Sequence, residues 1–75
     1  MDDDAALPTE PSEIFELIVK ADEKLKYATA AKGDVRAQQA RDLLERAREA
    51  ARAIDNQALI AQADTRLADL DALGD

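Results

Sequence analysis

Apolar residues recur along most of this chain at alternating intervals of three and four positions, the spacing of one face of an α-helix. In the first such stretch the apolar positions are Ile14, Ile18, Ala21, Leu25 and Ala28. The pattern predicts a first helix over residues 13–31. Ser12 is the expected N-cap, because its hydroxyl can accept from a free backbone N–H, and Gly33 is expected to close the helix in the left-handed conformation.

A second stripe predicts a helix over residues 35–53, with Asp34 as its N-cap. Its apolar positions are Ala37, Ala40, Leu44, Ala47, Ala51 and Ile54. Most of these side chains are methyl groups, so a neighbouring helix could approach this face closely.

A third stripe, Ile60, Ala63, Leu67 and Leu70, predicts a helix over residues 56–72. The step of six between Ile54 and Ile60 fits no single helical face, so we expect a break at Asp55-Asn56, with Asp55 as the next N-cap. A continuous helix from Asp34 to Leu73 is the structural alternative. No stretch alternates with the period of two that is typical of strands. The short connections predict an all-α, antiparallel three-helix bundle.

The domain organisation follows from the prolines and the charges near the N-terminus. Residues 1–11 contain Asp2, Asp3 and Asp4 in a row, together with Pro8 and Pro11, and they predict an acidic flexible tail. Residues 12–73 form the predicted three-helix domain. A domain of this size buries a small core, so a partner surface or a second copy would add useful burial.

The net charge of −7 is unevenly distributed. Residues 1–19 carry six acids and no base, whereas residues 20–52 carry nine bases and six acids. An acidic chain is not expected to bind nucleic acid, because phosphate contacts require positive surface. No apolar run is long enough for a membrane span, and no basic leader precedes an apolar segment. The chain has no cysteine, and we predict a cytoplasmic location.

The residue types needed for most catalytic chemistry are missing. There is no His and no Cys, and Ser12 is the only serine, which excludes Ser-His and Cys-His nucleophile pairs and the usual zinc ligands. The two glycines, Gly33 and Gly74, make no phosphate-binding loop. The sequence therefore predicts a protein that is not an enzyme and that holds no metal or cofactor.

Candidate partner-binding residues lie on the first two predicted helices. Lys20, Lys24 and Tyr27 line up on the first helix away from its apolar stripe, and tyrosine is enriched at protein interfaces. Arg41 and Arg48 lie along one side of the second helix, where they could dock an acidic partner. The alternative is a solvated face whose arginines pair with acids of the same helix.

Phe15 and Val19 form a second off-stripe pair on the first helix. One interpretation is that both side chains widen the core face. The other is that both are exposed, in which case they are the candidate contact of a homodimer.

Residues 27–70 resemble a tetratricopeptide-type helical repeat. Gly33-Asp34 lies between two predicted helices, Ala40, Leu44 and Ala47 form a small-large-small trio, and a third helix follows. The chain is also similar in size and layout to small three-helix adaptor domains, such as microtubule-interacting and trafficking domains. The resemblance implies protein–protein binding, with a helix or peptide held in a groove between helices.

These observations lead to one hypothesis and two alternatives. The hypothesis is a small helical interaction module whose partner is another protein, for instance an acidic or amphipathic helix. The first alternative is a structural homo-oligomer, a helical dimer. The second, less favoured because of the acidic termini, is an accessory protein that contacts nucleic acid through the basic middle of the chain.

Overall fold

The computed structural model describes residues 7–26 and 33–74, with the side chains of residues 7–26 and 35–72. Three α-helices span Pro11–Lys26 (α1), Gly33–Ala53 (α2) and Gln57–Gly74 (α3), and the described residues contain no strand. The helices pack against one another as a three-helix bundle, which confirms the predicted all-α fold.

The central helix of the bundle is α2, because it packs extensively against both other helices while α1 and α3 meet over a small area. Two ion pairs show how α2 and α3 are aligned. Arg41 contacts Asp71 at 2.6 Å, and Arg48 contacts Asp64 at 3.3 Å. A step of seven residues forward on α2 thus matches a step of seven residues back on α3, so the two helices run antiparallel.

The core lies along α2 and is built largely from small side chains. Its buried residues are Ile14, Ile18, Ala21, Ala40, Leu44, Ala47, Ala50, Ala51, Leu59, Ala63, Leu67 and Leu70. Half of them are alanine, and these methyl groups let α1 and α3 both come close to α2. Every residue of this core belongs to or flanks one of the predicted stripes. On α3, Leu59 rather than Ile60 points inward, and Ile60 is half-buried at the core's edge.

The start of α1 differs from the prediction. Helix α1 begins at Pro11, and the carbonyl of Glu10 accepts from the backbone N–H of Ile14 at 3.1 Å. Ser12 therefore lies inside the first turn, and the expectation that it caps the helix is wrong. Proline is tolerated at a first helical position, because the N–H that it lacks would have no partner there. The rest of the predicted tail up to residue 6 lies outside the described residues.

The start of α2 also differs from the prediction. Gly33 is the first residue of α2 and Asp34 is the second. Gly33 therefore has helical backbone and does not close α1, and Asp34 lies within the helix rather than before it. The predicted end of the first helix at Ala31 lies outside the described residues.

The break between α2 and α3 falls where the change of stripe phase predicted it, but its two residues have different roles from those expected. Asp55 has a positive φ of 57°. The Asp55 N–H donates to the Arg52 carbonyl at 3.0 Å, and the Asn56 N–H donates to the Ala51 carbonyl at 2.9 Å. This pair of bonds is the Schellman motif that ends many helices, with Asp55 in the left-handed position. Aspartate visits that conformation more readily than most residues.

The N-cap of α3 is Asn56 and not Asp55. Its side-chain Oδ1 accepts from the backbone N–H of Leu59 at 3.1 Å, and its carbonyl accepts from Ile60 N–H at 3.0 Å. Asp55 cannot cap α3 because it already occupies the left-handed position that ends α2. Asn56 thus ends one helix with its N–H and begins the next with its side chain.

We expect the substitution Asn56→Ala to lower the free energy of unfolding by about 1 kcal/mol, because it removes the side-chain acceptor at the helix start. The matched control is Asn56→Asp, which keeps an acceptor oxygen and should change stability little. Urea unfolding followed by circular dichroism measures both variants. Equal stability of the two variants would show that the Asn56 cap does not hold α3.

Candidate functional site

Arg41 and Arg48, two of the predicted partner-binding residues, contact α3. Arg41 Nη2 donates to Asp71 Oδ1, and Arg48 Nη1 donates to Asp64 Oδ1. About a third of each arginine side chain is exposed, and the buried Nε of Arg48 has no hydrogen-bond partner. Solvated pairs of this kind contribute under about 1 kcal/mol each to stability, and their positions mark the register in which α2 packs against α3. The alternative interpretation, pairing with acids of the same helix, does not hold for Arg41 and Arg48, whose partners lie on α3, but it holds for Arg52, which pairs with Glu49 at 3.8 Å.

A third ion pair joins α3 to α1. Arg66 Nε donates to both carboxylate oxygens of Asp22, at 3.0 and 3.2 Å. Arg66 Nη1 also donates to the carbonyl of Gln62 at 3.3 Å, which holds the guanidinium against its own helix. The pair bridges α1 and α3 where these two helices share few other contacts.

Lys20 and Lys24 lie on another side of α1, at a cleft between α1 and α2. The cleft has a volume of about 420 Å³ and is lined by Lys20, Glu23, Lys24, Arg36 and Leu43. Lys24, Arg36 and Leu43 are half-buried, whereas Lys20 and Glu23 are exposed. We call this the basic cleft. It brings two predicted binding residues of α1 together with a cation and an apolar side chain of α2.

The cations of the basic cleft form no ion pair with other residues in the described part of the bundle. Among the described residues, Lys20, Lys24, Arg36 and Arg46 form no ion pair, and three of these four line the cleft. The bundle thus neutralises several arginines on α2 and α3 but leaves a local cluster of positive charge between α1 and α2. Among the described residues that line this cleft, Glu23 is the one acid.

The basic cleft continues toward the start of α2. A neighbouring depression is lined by Lys24, Val35, Arg36 and Gln39. Val35 is 61% exposed, the most exposed large apolar side chain among the described residues. Leu43 in the cleft and Val35 in the depression beside it are thus two apolar contact points on α2, and Lys24 and Arg36 line both places.

Phe15 and Val19 are exposed on α1, with 44% and 38% of their surfaces accessible. The interpretation that they widen the core is therefore wrong. They lie one turn apart, on the side of α1 that also carries Asp22 and thus faces α3. Their predicted role in self-association remains a prediction. Tyr27, the last predicted contact residue, lies outside the described residues.

Arg36 and Leu43 line the cleft but were not predicted from the sequence as binding residues. Arg36 lies near the start of the second helix and was not grouped with Lys20 and Lys24, because their proximity depends on how α1 packs against α2. Leu43 lies beside the predicted stripe of the second helix; it packs against the core, and it also lines the cleft. The signal available was the excess of bases over acids in residues 20–52.

The described residues hold no cluster of three or more acidic, His or Cys side chains that could bind a metal ion. None of the three described helices combines the length and apolarity needed to cross a membrane. Comparison of the chain with protein-family models, with curated proteins and with solved structures finds no match. The tetratricopeptide-like resemblance therefore stays a prediction.

Proposed function

We propose that this chain is a small, non-catalytic protein–protein interaction module that binds a helix or peptide of a partner protein in the basic cleft. The observation that carries the proposal is the cluster of Lys20, Lys24 and Arg36 around Leu43. These cations come from two helices, and none forms an ion pair with another residue that the structure describes.

Two further properties support a binding role. Grooves between packed helices are a recurrent docking place for a helix of another protein, which places its apolar face in the groove. In addition, a chain of 75 residues with an alanine-rich core buries little apolar surface on its own. Docking of a partner would add to that burial. The lack of cysteine is compatible with the reducing cytoplasm, where we place the module.

The proposal is tested by selecting ligands from a displayed library of helical peptides that includes acidic, neutral and basic members in equal number. We expect to recover peptides that bind the folded chain. The variant Lys24→Glu with Arg36→Glu, which alters the cleft, should no longer bind these peptides. Recovery of no peptide above background, with the chain folded as judged by circular dichroism, would contradict the proposal.

A second candidate function is a structural homo-oligomer, and the exposure of Phe15 and Val19 favours it. A dimer through this face would hide both side chains against a second copy. Sedimentation over a concentration series distinguishes the two functions. A mass that stays at 8.2 kDa excludes the oligomer, whereas a dimer that Phe15→Ala with Val19→Ala dissociates would establish it.

A further inference from the structure

The basic cleft has a charge pattern that specifies the chemistry of its ligand. Lys20 and Lys24 are four residues apart on α1, which places them about 6 Å apart along the helix axis at a rise of about 1.5 Å per residue. Two carboxylates four residues apart on a ligand helix have the same separation. Arg36 faces them from α2 and can hold a carboxylate through two parallel N–H bonds.

The apolar side chains of the cleft and of the depression beside it add a second constraint on the ligand. Val35 and Leu43 are eight residues apart on α2, a separation of roughly 12 Å along the axis. Apolar side chains seven or eight residues apart on one face of a ligand helix have nearly the same separation. The ligand would therefore present acids along one edge and apolar residues along its centre.

We propose, on the basis of the function proposed above, that the ligand of the basic cleft is an acidic amphipathic helix with two carboxylates four residues apart and two apolar residues seven or eight apart. The carboxylates contact Lys20, Lys24 and Arg36, and the apolar side chains contact Leu43 and Val35. Glu23 lies at the exposed edge of the cleft and repels a ligand carboxylate placed beside it, which restricts how the helix can be oriented.

A protein ligand fits the surroundings of the cleft better than a nucleic acid does. A polynucleotide carries a phosphate at every residue, so it would meet repulsion from Glu23 and from the net charge of −7 beyond the three cations, whereas the proposed helix carries two carboxylates that both contact the cations. The described lining contains no aromatic side chain on which a base could stack.

The test uses the whole chain and two synthetic helical peptides in fluorescence anisotropy. One peptide carries two Glu residues four apart and two Leu residues seven apart, and the other has both Glu residues replaced by Gln. We expect the Glu peptide to bind at least about tenfold more tightly than the Gln peptide, because several ion pairs are lost together. Equal affinity of the two peptides for the unaltered chain would overturn the inference.

Variants of the chain locate the contact. Lys20→Glu with Lys24→Glu should weaken binding of the Glu peptide about tenfold or more, and Glu23→Gln should tighten it about twofold or more. The control is Arg46→Glu with Arg52→Glu, which changes the net charge equally at positions outside the cleft and should leave affinity within about twofold, since solvent and salt screen distant charges. An equal loss in the control variant would show that only net charge matters.

The outcomes separate this inference from the proposed function. If the selection recovers neutral or basic peptides whose binding depends on the cleft, the proposed function holds and the inference of an acidic ligand is wrong. If the selection recovers no peptide and the Glu peptide does not bind, both the proposed interaction module and its acidic ligand are wrong. Displacement of the Glu peptide by a lower concentration of a single-stranded oligonucleotide would assign the cleft to nucleic acid and overturn the inference.

Discussion

Replacement of Leu44 by alanine is expected to lower the free energy of unfolding by about 2–5 kcal/mol, the range for truncating a buried leucine. Leu44 is fully buried and lies midway along α2, the helix that both others pack against. Domains have a stability of roughly 0.05–0.15 kcal/mol per residue, so this loss is a large part of the total in a chain of 75 residues. Urea unfolding measured by circular dichroism gives the value.

The control for Leu44→Ala is Val35→Ala, a truncation on the same helix at a side chain that is 61% exposed. This change should alter stability by less than about 0.5 kcal/mol. Alanine and leucine are both strong helix formers, so the loss at Leu44 reports packing rather than helix propensity. A Leu44→Ala variant as stable as the parent chain would mean that α2 is not the centre of the core.

The converse substitution, Ala47→Leu, is expected to destabilise the bundle by about 1–3 kcal/mol through overpacking. Ala47 is fully buried, and its methyl group allows the neighbouring helices to approach α2. A leucine at this position needs space that the packed helices do not leave, so the helices must separate or the side chain must take a strained rotamer.

Ala53→Leu is the matched control for Ala47→Leu, because it makes the same change at an exposed position of the same helix. Its effect should lie within about 0.5 kcal/mol of zero. Thermal and urea unfolding of the pair can be compared directly. If Ala47→Leu is neutral or stabilising, a cavity must lie beside Ala47, and the close approach of the helices at this point is contradicted.

The positions of the core were predictable from sequence because helical periodicity alone determines which residues share a face. Ile14, Ile18 and Ala21 on α1 are buried as their spacing indicates. The break at Asp55-Asn56 was also predictable, because the apolar stripe changes phase there and a continuous helix would have turned α3's apolar face away from α2.

Helix ends were less predictable because several neighbouring residues can fill the same role. Asp55 and Asn56 can each cap a helix and each tolerate the left-handed conformation. Only the backbone geometry of the turn decides that Asp55 takes the positive φ and that Asn56 caps α3. At the start of α1, Pro11 was interpreted as a helix breaker although its fixed φ suits a first helical position.

Only the α1 side of the candidate site could be predicted from the sequence. The spacing of Lys20 and Lys24 predicts that they share one face of a helix. The presence of Arg36 in the same cleft depends on the register of α1 against α2, which no local pattern specifies. The contacts of Arg41 and Arg48 depend on a distant part of the chain in the same way. A sequence signal did exist for those two, because Asp64 and Asp71 have the same seven-residue separation in an antiparallel helix.

An NMR titration of the isotopically labelled chain with the acidic amphipathic peptide, followed by backbone amide shifts, tests directly whether the basic cleft is the binding site. We expect the largest changes on residues 20–24 of α1 and 35–43 of α2, which flank the basic cleft and the depression beside it, while Phe15 and Val19 change little. Largest changes at Phe15 and Val19, or no changes at saturating peptide, would contradict the assignment of the cleft as the binding site.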